Sequence, residues 1–314
     1  MSRSRPVAEP RDSYARLEER LKTLLPAAYQ ETYESVQPVS MGSAGLRYDA
    51  DGAVAWDQIW GSFCDLAMAG GPPHKGTFLE PGREDAIDAD FGRYDAVVDE
   101  ICRGIKLVTG LRAYASPTPG WVSVTCTGDT MADWLFRAIV MENVAARRTG
   151  AVLELPAAPH FRIEKEIKNV ITVIAKTCHY WLGHLPLTQQ REIGDLFMRM
   201  MFEFPLVEPG EATDEVSAAR LSQLASRIAA RVEGETVLRR SAHTYAEWLG
   251  LDCRDVPSAV WMMRALVASN VLSRRENRTL FVPVNPSTDP KGTLVSDAVL
   301  RVYQYARERN VQGV

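Results

Sequence analysis

The 314-residue chain has few cysteines, no long apolar run and no large excess of either charge. Its five cysteines stand singly and form no Cys-x-x-Cys pair, which argues against a disulfide framework and against a thiolate zinc site. The most apolar stretch, 170–185, is interrupted by Lys176 and two histidines, so the sequence predicts no membrane-spanning helix. The N-terminus lacks the apolar core of a secretory signal. These absences predict a cytoplasmic protein with reduced thiols.

Common catalytic and cofactor motifs are also missing. The chain has no Gly-x-Gly-x-x-Gly, phosphate-binding loop, Gly-x-Ser-x-Gly or His-Glu-x-x-His sequence, so no cofactor or metal can be named. The net charge of -4 and the pI of about 5.8 give no general attraction to nucleic acid or to an anionic membrane. With 46% hydrophobic and 24% charged residues, the composition is that of a globular protein with room for two cores.

Two parts of the chain resemble each other at an offset of 76 residues. Residues 46–52 and the apolar stripe after them match 122–128 and the stripe that follows. In each copy a Gly then opens a short apolar run, which ends in Glu80 or Glu154, and a second helical stripe comes next. Strand, helix, strand and helix in this order favour parallel pairing through right-handed crossovers. The pattern predicts an α/β fold in which duplicated βαβα units form a mainly parallel sheet with flanking helices.

Beyond residue 234 the predicted elements are a short helix, a second helix opened by Asp255-Val-Pro-Ser, and two strands joined by a short loop. This order, over about sixty residues, resembles a winged helix-turn-helix. The predicted domains are an N-terminal tail and amphipathic helix (1–40), the duplicated α/β domain (41–186, with units of about 46–114 and 122–180), a helical connector (187–233), and a winged-helix-like module with a C-terminal helix (234–314).

The winged-helix resemblance implies DNA as a partner, through Arg274, Arg275 and Arg278 in the wing that the two strands and their loop would form. The second helix is mostly apolar, and acidic residues nearly balance the arginines of this module. Each phosphate contact needs its own cation, so DNA is the less favoured partner.

Four residues are candidates for chemistry. Glu80 and Glu154 end predicted parallel strands, at the edge where α/β sheets bind ligands. His160 follows six residues after Glu154 and is a candidate acid or base. Cys126 stands just before a predicted helix, whose dipole would stabilise a thiolate nucleophile. Helix capping, ion pairing and core packing are the structural alternatives for these side chains.

Three hypotheses follow. The first is an α/β protein that binds a small molecule between its two repeats and uses these four residues for hydrolase or lyase chemistry. The alternative is a ligand-responsive transcriptional regulator that binds DNA through its C-terminal module. A third is a scaffold that uses Trp248 and Trp261 as interface anchors.

Overall fold

The computed structural model describes residues 10–31, 45–59 and 65–309, with side chains from residue 14 onward. The α-helices of these ranges are α1 (Pro10–Leu24), α2 (Ala27–Gln30), α3 (Glu84–Ala89), α4 (Phe91–Thr109), α5 (Asp129–Met141), α6 (Lys168–His184), α7 (Leu187–Glu203), α8 (Glu215–Glu235), α9 (Val256–Val267) and α10 (Thr293–Glu308). The strands are β1 (Arg112–Ala115), β2 (Trp121–Thr125), β3 (Arg147–Thr149), β4 (Val152–Pro156), β5 (Arg239–Arg240), β6 (Trp248–Asp252), β7 (Arg274–Glu276) and β8 (Thr279–Pro283).

The strands form two separate four-stranded sheets. Sheet 1 has the order β1-β2-β4-β3 and sheet 2 the order β5-β6-β8-β7, and each neighbouring pair is antiparallel. Gly150, with a φ of 55°, turns the chain between β3 and β4, and Asn277, with a φ of 53°, does the same between β7 and β8. Connections of two residues permit an antiparallel hairpin, whereas parallel strands need a crossover of about a dozen residues.

The predicted parallel sheet of duplicated βαβα units is therefore wrong. Residues 46–52 form no strand beyond an isolated bridge between Tyr48 and Val54, and a short 3-10 helix, Trp56–Gln58, stands within the first predicted helix. The part of that helix at 60–64 lies outside the described residues. Gly150 was interpreted as the opening of a strand, but it is the turn of a hairpin, which reverses the chain direction.

The C-terminal part also differs from the winged helix that the sequence resembles. The predicted short helix at 244–250 is a turn followed by strand β6, and β6 lies in the middle of a four-stranded sheet. The sequence does not indicate this strand, because residues on both faces of β6 are buried. Apolar and polar residues therefore do not alternate along its Trp-Leu-Gly-Leu sequence. The two predicted strands at its end are present as β7 and β8.

Two modules of the same topology make up most of the chain. Module 1 (78–184) and module 2 (206–308) each contain a long helix, a strand pair, a helix, a hairpin and a final helix, and their strand registers agree at an offset of 127 residues. Asn143 and Asn270 both have a positive φ, of 63° and 61°. Identical residues at this offset include Trp121 and Trp248, Cys126 and Cys253, Trp134 and Trp261, Arg137 and Arg264, Val144 and Val271, Arg147 and Arg274, Arg148 and Arg275, and Pro156 and Pro283.

Each module begins with an apolar-Glu-Pro-Gly segment, 79–82 or 207–210, whose first residue forms an isolated parallel bridge with Val144 or Val271 of the same module. The amide of Leu79 donates to the carbonyl of Asn143 at 2.8 Å, and that of Val207 donates to Asn270 at 2.9 Å. Side chains then cross between the modules: Arg137 donates to the Asn270 side chain at 2.9 Å, and the Asn143 amide donates to the carbonyl of Arg275 at 2.7 Å. The two modules therefore share one interface.

The helices of each module pack against one face of its sheet, and the buried apolar side chains of both modules form one continuous core. Helix α1 packs against α7 and α9, and the carbonyl of Leu24 accepts a hydrogen bond from Trp134 at 3.0 Å. Within the described ranges, none of the helices has the length and apolarity needed to cross a membrane. The opposite face of each sheet, here called its outer face, is free of these helices and differs between the modules.

Candidate functional site

The outer face of sheet 2 carries a buried arginine surrounded by aromatic rings. Trp248, Arg274, Glu276 and Phe281 share this face because they occupy paired positions on β6, β7 and β8. The Arg274 guanidinium carbon lies 4.1 Å from the ring centre of Phe281 and 5.0 Å from that of Trp248. Two further rings, those of Phe78 and Tyr245, lie 4.1 and 4.4 Å from the same carbon. The face is therefore filled by side chains of this chain.

Glu276 connects the covering segments to the sheet. Its carboxylate accepts hydrogen bonds from Arg274 at 2.7 Å, from the Tyr245 hydroxyl at 2.6 Å and from the Phe78 backbone amide at 3.1 Å. His243 Nε2 lies 3.4 Å from the same carboxylate. Burial lowers the pKa of Arg274, and the hydrogen bond with Glu276 opposes that shift. The ring and backbone amide of Phe78 thus hold the segment against sheet 2, and the bridge of the neighbouring Leu79 holds it against module 1.

The outer face of sheet 1 presents the equivalent residues, and among the described residues no segment packs over them as Phe78 packs over Arg274. Arg147 stacks over Trp121, with its guanidinium carbon 4.4 Å from the ring centre, as Arg274 does over Trp248. Arg147 Nε also donates to Glu154 at 2.6 Å. The Arg147 side chain is 32% exposed, whereas that of Arg274 is 0% exposed. The same arginine-on-tryptophan arrangement is therefore open in module 1 and closed in module 2.

Polar side chains fix the open face. Glu154 accepts hydrogen bonds from Ser116 and from Ser123, the second at 3.3 Å, so its carboxylate has three partners including Arg147. Beside it, Arg112 lies over the Tyr114 ring, 5.3 Å from its centre. These groups form a partly buried surface of alternating cations and rings that can stack on an aromatic side chain.

The four residues predicted to carry chemistry occur in different surroundings. Glu154 lies on the outer face of sheet 1, and Cys126 is buried, which raises its thiol pKa to about 12. His160 is exposed, with its ring 5.1 Å from that of Phe161. Desolvation and the charge of Glu247 raise the pKa of Glu80, which lies on the module 2 side of the molecule. Glu80 therefore lies outside both sheets and near module 2, whereas Glu154 lies on sheet 1.

The three arginines predicted to contact DNA are also separated. Arg274 and Arg275 are buried, and Arg278 is exposed. Arg275 donates to the carbonyls of Asn277 and Gly71 at 3.0 and 3.2 Å, and burial lowers its pKa to about 10. Two of the three cations therefore have structural partners inside the protein.

A second polar cluster is buried between 65–76 and the helices of module 1. Glu142 accepts hydrogen bonds from the amides of Ala67 and His74, both at 2.8 Å, and pairs with Lys176 at 2.8 Å. Neither charged side chain is more than 1% exposed. Within the described ranges, no group of three or more His, Cys, Asp or Glu side chains is arranged to hold a metal ion. The cluster organises the Gly-Gly-Pro-Pro-His loop.

This cluster makes stability depend on pH through His74. Burial and the charge of Lys176 lower the His74 pKa from 6.5 to about 3. In the unfolded chain the ring takes up a proton below pH 6.5, but in the folded protein it stays neutral to about pH 3. Stability from His74 is therefore complete above pH 6.5 and is lost as the pH falls below it. We expect the free energy of unfolding to drop by about 2 kcal/mol from this residue between pH 7.5 and 5.0.

Urea denaturation at the two pH values measures this drop. We expect His74→Asn to reduce the difference between them, while His160→Asn, at an exposed histidine, leaves it unchanged. Equal pH dependence in the His74 variant and the wild type would contradict the assignment.

Sequence reasoning missed Phe78, Trp121, Arg147 and Tyr245 as parts of a site. The signal that could have found two of them is the ungapped match at an offset of 127 residues, which aligns Trp121 with Trp248 and Arg147 with Arg274. The predicted repeat at an offset of 76 hid this match. Phe78 and Tyr245 come from connecting segments, and no local pattern indicates which face they cover.

Comparison with known proteins adds no identity to this geometry. The chain matches no protein-family model, no curated protein and no solved structure. The functional argument therefore depends on the two sheets themselves.

Proposed function

We propose that this chain is a protein-binding protein that holds an extended segment of a partner on the outer face of sheet 1, through an aromatic side chain of that segment. The observation that carries the proposal is the contrast between two equivalent faces. In module 2 the Arg274–Trp248 stack is covered by the Phe78 segment, and in module 1 the Arg147–Trp121 stack is solvent-accessible.

The Phe78 segment supplies the chemistry of the expected partner. Its ring packs edge-on against Tyr245 and Trp248, with ring centres 5.7 Å apart in both pairs. The next residue, Leu79, forms an isolated parallel bridge with Val144. A partner segment of the same kind would place an aromatic ring over Arg147 and Trp121, where cation–π and edge-to-face contacts favour it.

Charge on the open face suits a peptide better than an aliphatic ligand. Glu154 differs from its module 2 equivalent, Phe281, so the face of sheet 1 has a carboxylate where sheet 2 has a ring. This carboxylate and Arg147 offer both an acceptor and a donor beside the aromatic site. Extended peptides carry both kinds of group along the main chain and use them when they bind to sheets.

A peptide with the sequence of residues 75–82, Lys-Gly-Thr-Phe-Leu-Glu-Pro-Gly, tests this proposal. Added to the isotope-labelled full chain, it should shift NMR signals of sheet 1 residues, including the Trp121 indole. We expect Arg147→Gln to weaken the binding by about tenfold, since a desolvated cation–π contact is worth about 1–2 kcal/mol. The same peptide with Ala in place of Phe should bind weakly or not at all.

Arg278→Gln is the matched control, because it removes an exposed arginine from the hairpin of module 2. Binding that is equal in the Arg147 and Arg278 variants, or that does not depend on the Phe side chain, would refute the proposal. The small-molecule ligand, the DNA alternative and the cytoplasmic location predicted from the sequence stay predictions.

A further inference from the structure

Two histidines at the end of α6 have the geometry of a metal chelate. His179 Nε2 and His184 Nε2 lie 3.1 Å apart, and both residues are exposed. An ion bonded to both nitrogens at about 2.0–2.1 Å would make a nitrogen–metal–nitrogen angle of roughly 100°. This lies between the ideal angles of octahedral and tetrahedral sites. We propose that His179 and His184 together bind a late first-row divalent transition ion such as Zn²⁺ or Ni²⁺.

The two rings are held in place by their neighbours. The His179 and His184 ring centres are 4.9 Å apart, and His184 also packs against Tyr180 at 5.0 Å. The Tyr180 hydroxyl is 2.9 Å from that of Tyr29, which donates to Asp65 at 2.6 Å. This chain of contacts fixes the position of the Tyr180 ring and, through it, His184. A chelating pair that is already positioned loses less conformational entropy when it binds an ion.

The position on the helix adds an electrostatic contribution. His184 is the last residue of α6, and Leu185 after it has an extended backbone, with a φ of -112° and a ψ of 104°. The carbonyl groups at a helix C-terminus carry partial negative charge, which favours a bound cation. Histidines five residues apart do not share a helical face along a regular helix. Their meeting at the point where α6 ends is therefore a feature of the structure that spacing alone does not predict.

Two imidazole ligands define the kind of ion and the kind of site. Imidazole suits Zn²⁺, Ni²⁺ and Cu²⁺ and is a poor ligand for Mg²⁺ or Ca²⁺. With His179 and His184 as the protein ligands, the other coordination positions would be left to water, as in a site that exchanges its ligands. Without metal, the same 3.1 Å separation is that of a hydrogen bond between the two rings.

Calorimetric titration of the full chain, without an affinity tag, distinguishes a pair of histidines that binds a metal ion from a pair that forms only a hydrogen bond. We expect one equivalent of Zn²⁺ or Ni²⁺ to bind and Mg²⁺ not to bind. Loss of a group behind a metal ligand already lowers affinity about 10–100-fold, so His179→Gln and His184→Gln should each lower it at least about tenfold. His160→Gln, at an exposed histidine on a loop of module 1, is the matched control and should bind like the wild type.

Two results would overturn the proposal. One is the absence of Zn²⁺ and Ni²⁺ binding at millimolar metal, which would leave the pair as a hydrogen bond. The other is binding that survives in the double variant, which would assign the ion to other groups, such as the partly buried Cys102. Circular dichroism of each variant checks that the fold is unchanged.

Discussion

Replacing Arg274 by alanine should lower the free energy of unfolding by about 3–5 kcal/mol, because it breaks a buried ion pair and empties the centre of an aromatic cluster. Arg274 is fully buried and contacts four rings, and Glu276 would lose its cationic partner. Chemical denaturation of the variant, followed by tryptophan fluorescence, measures the loss. The variant should also release the Phe78 segment from sheet 2.

Arg147→Ala is the matched control, since Arg147 is the equivalent residue on sheet 1. Its ion pair with Glu154 is part-exposed, and pairs in contact with water contribute about 0–1 kcal/mol. We expect a loss of no more than about 1 kcal/mol from this variant. Similar losses at Arg147 and Arg274 would mean that the two faces are covered equally and would remove the basis of the proposed function.

Glu142→Ala should also destabilise the protein by about 3–5 kcal/mol. The substitution leaves the Lys176 ammonium buried without its carboxylate and takes the acceptor from the amides of Ala67 and His74. Thermal or urea denaturation should show a large decrease in stability. Protease digestion should cut first within 65–76, because Glu142 anchors that loop.

A double variant tests whether the loss of stability in Glu142→Ala comes from the buried charge that is left unpaired. Glu142→Ala with Lys176→Met removes both buried charges, so it should be less destabilised than the sum of the two single variants. Asp85→Ala, which removes an exposed pair with Arg83, should unfold at the same denaturant concentration as the wild type. Strict additivity of the Glu142 and Lys176 effects would contradict the ion-pair explanation.

Helices of this fold could be read from the sequence where local signals are strong. Asp255 caps α9 by accepting from the amide of Ser258 at 2.9 Å, and the proline after it lies in the first turn, as the sequence indicates. The apolar stripes of α5, α7 and α8 are buried where the spacing of three and four predicts. Met201 is an exception, with 49% exposure at the edge of its stripe.

The direction of the strands and the residues of the candidate site could not be predicted from local signals of this kind. A Gly before an apolar run indicates a turn, but not whether the chain returns beside the strand before it or crosses to a distant one. Trp248 and Trp261 were considered as interface anchors, yet they are 2% and 1% exposed, because large rings fill interiors as well as interfaces. The parallel strand end predicted for Glu154 is wrong, since its strand is antiparallel to both neighbours and its carboxylate lies on a face of the sheet.

The matching topology of the two modules and the side-chain contacts between them give the chain the plan of a homodimer whose subunits have been joined end to end. In a true homodimer every substitution appears in both subunits, so a side chain that covers the outer face of one sheet must cover the outer face of both. Joining the copies removes that constraint. One module can then keep a ring over its arginine for stability while the other evolves an exposed surface, because each module is encoded by its own part of the sequence.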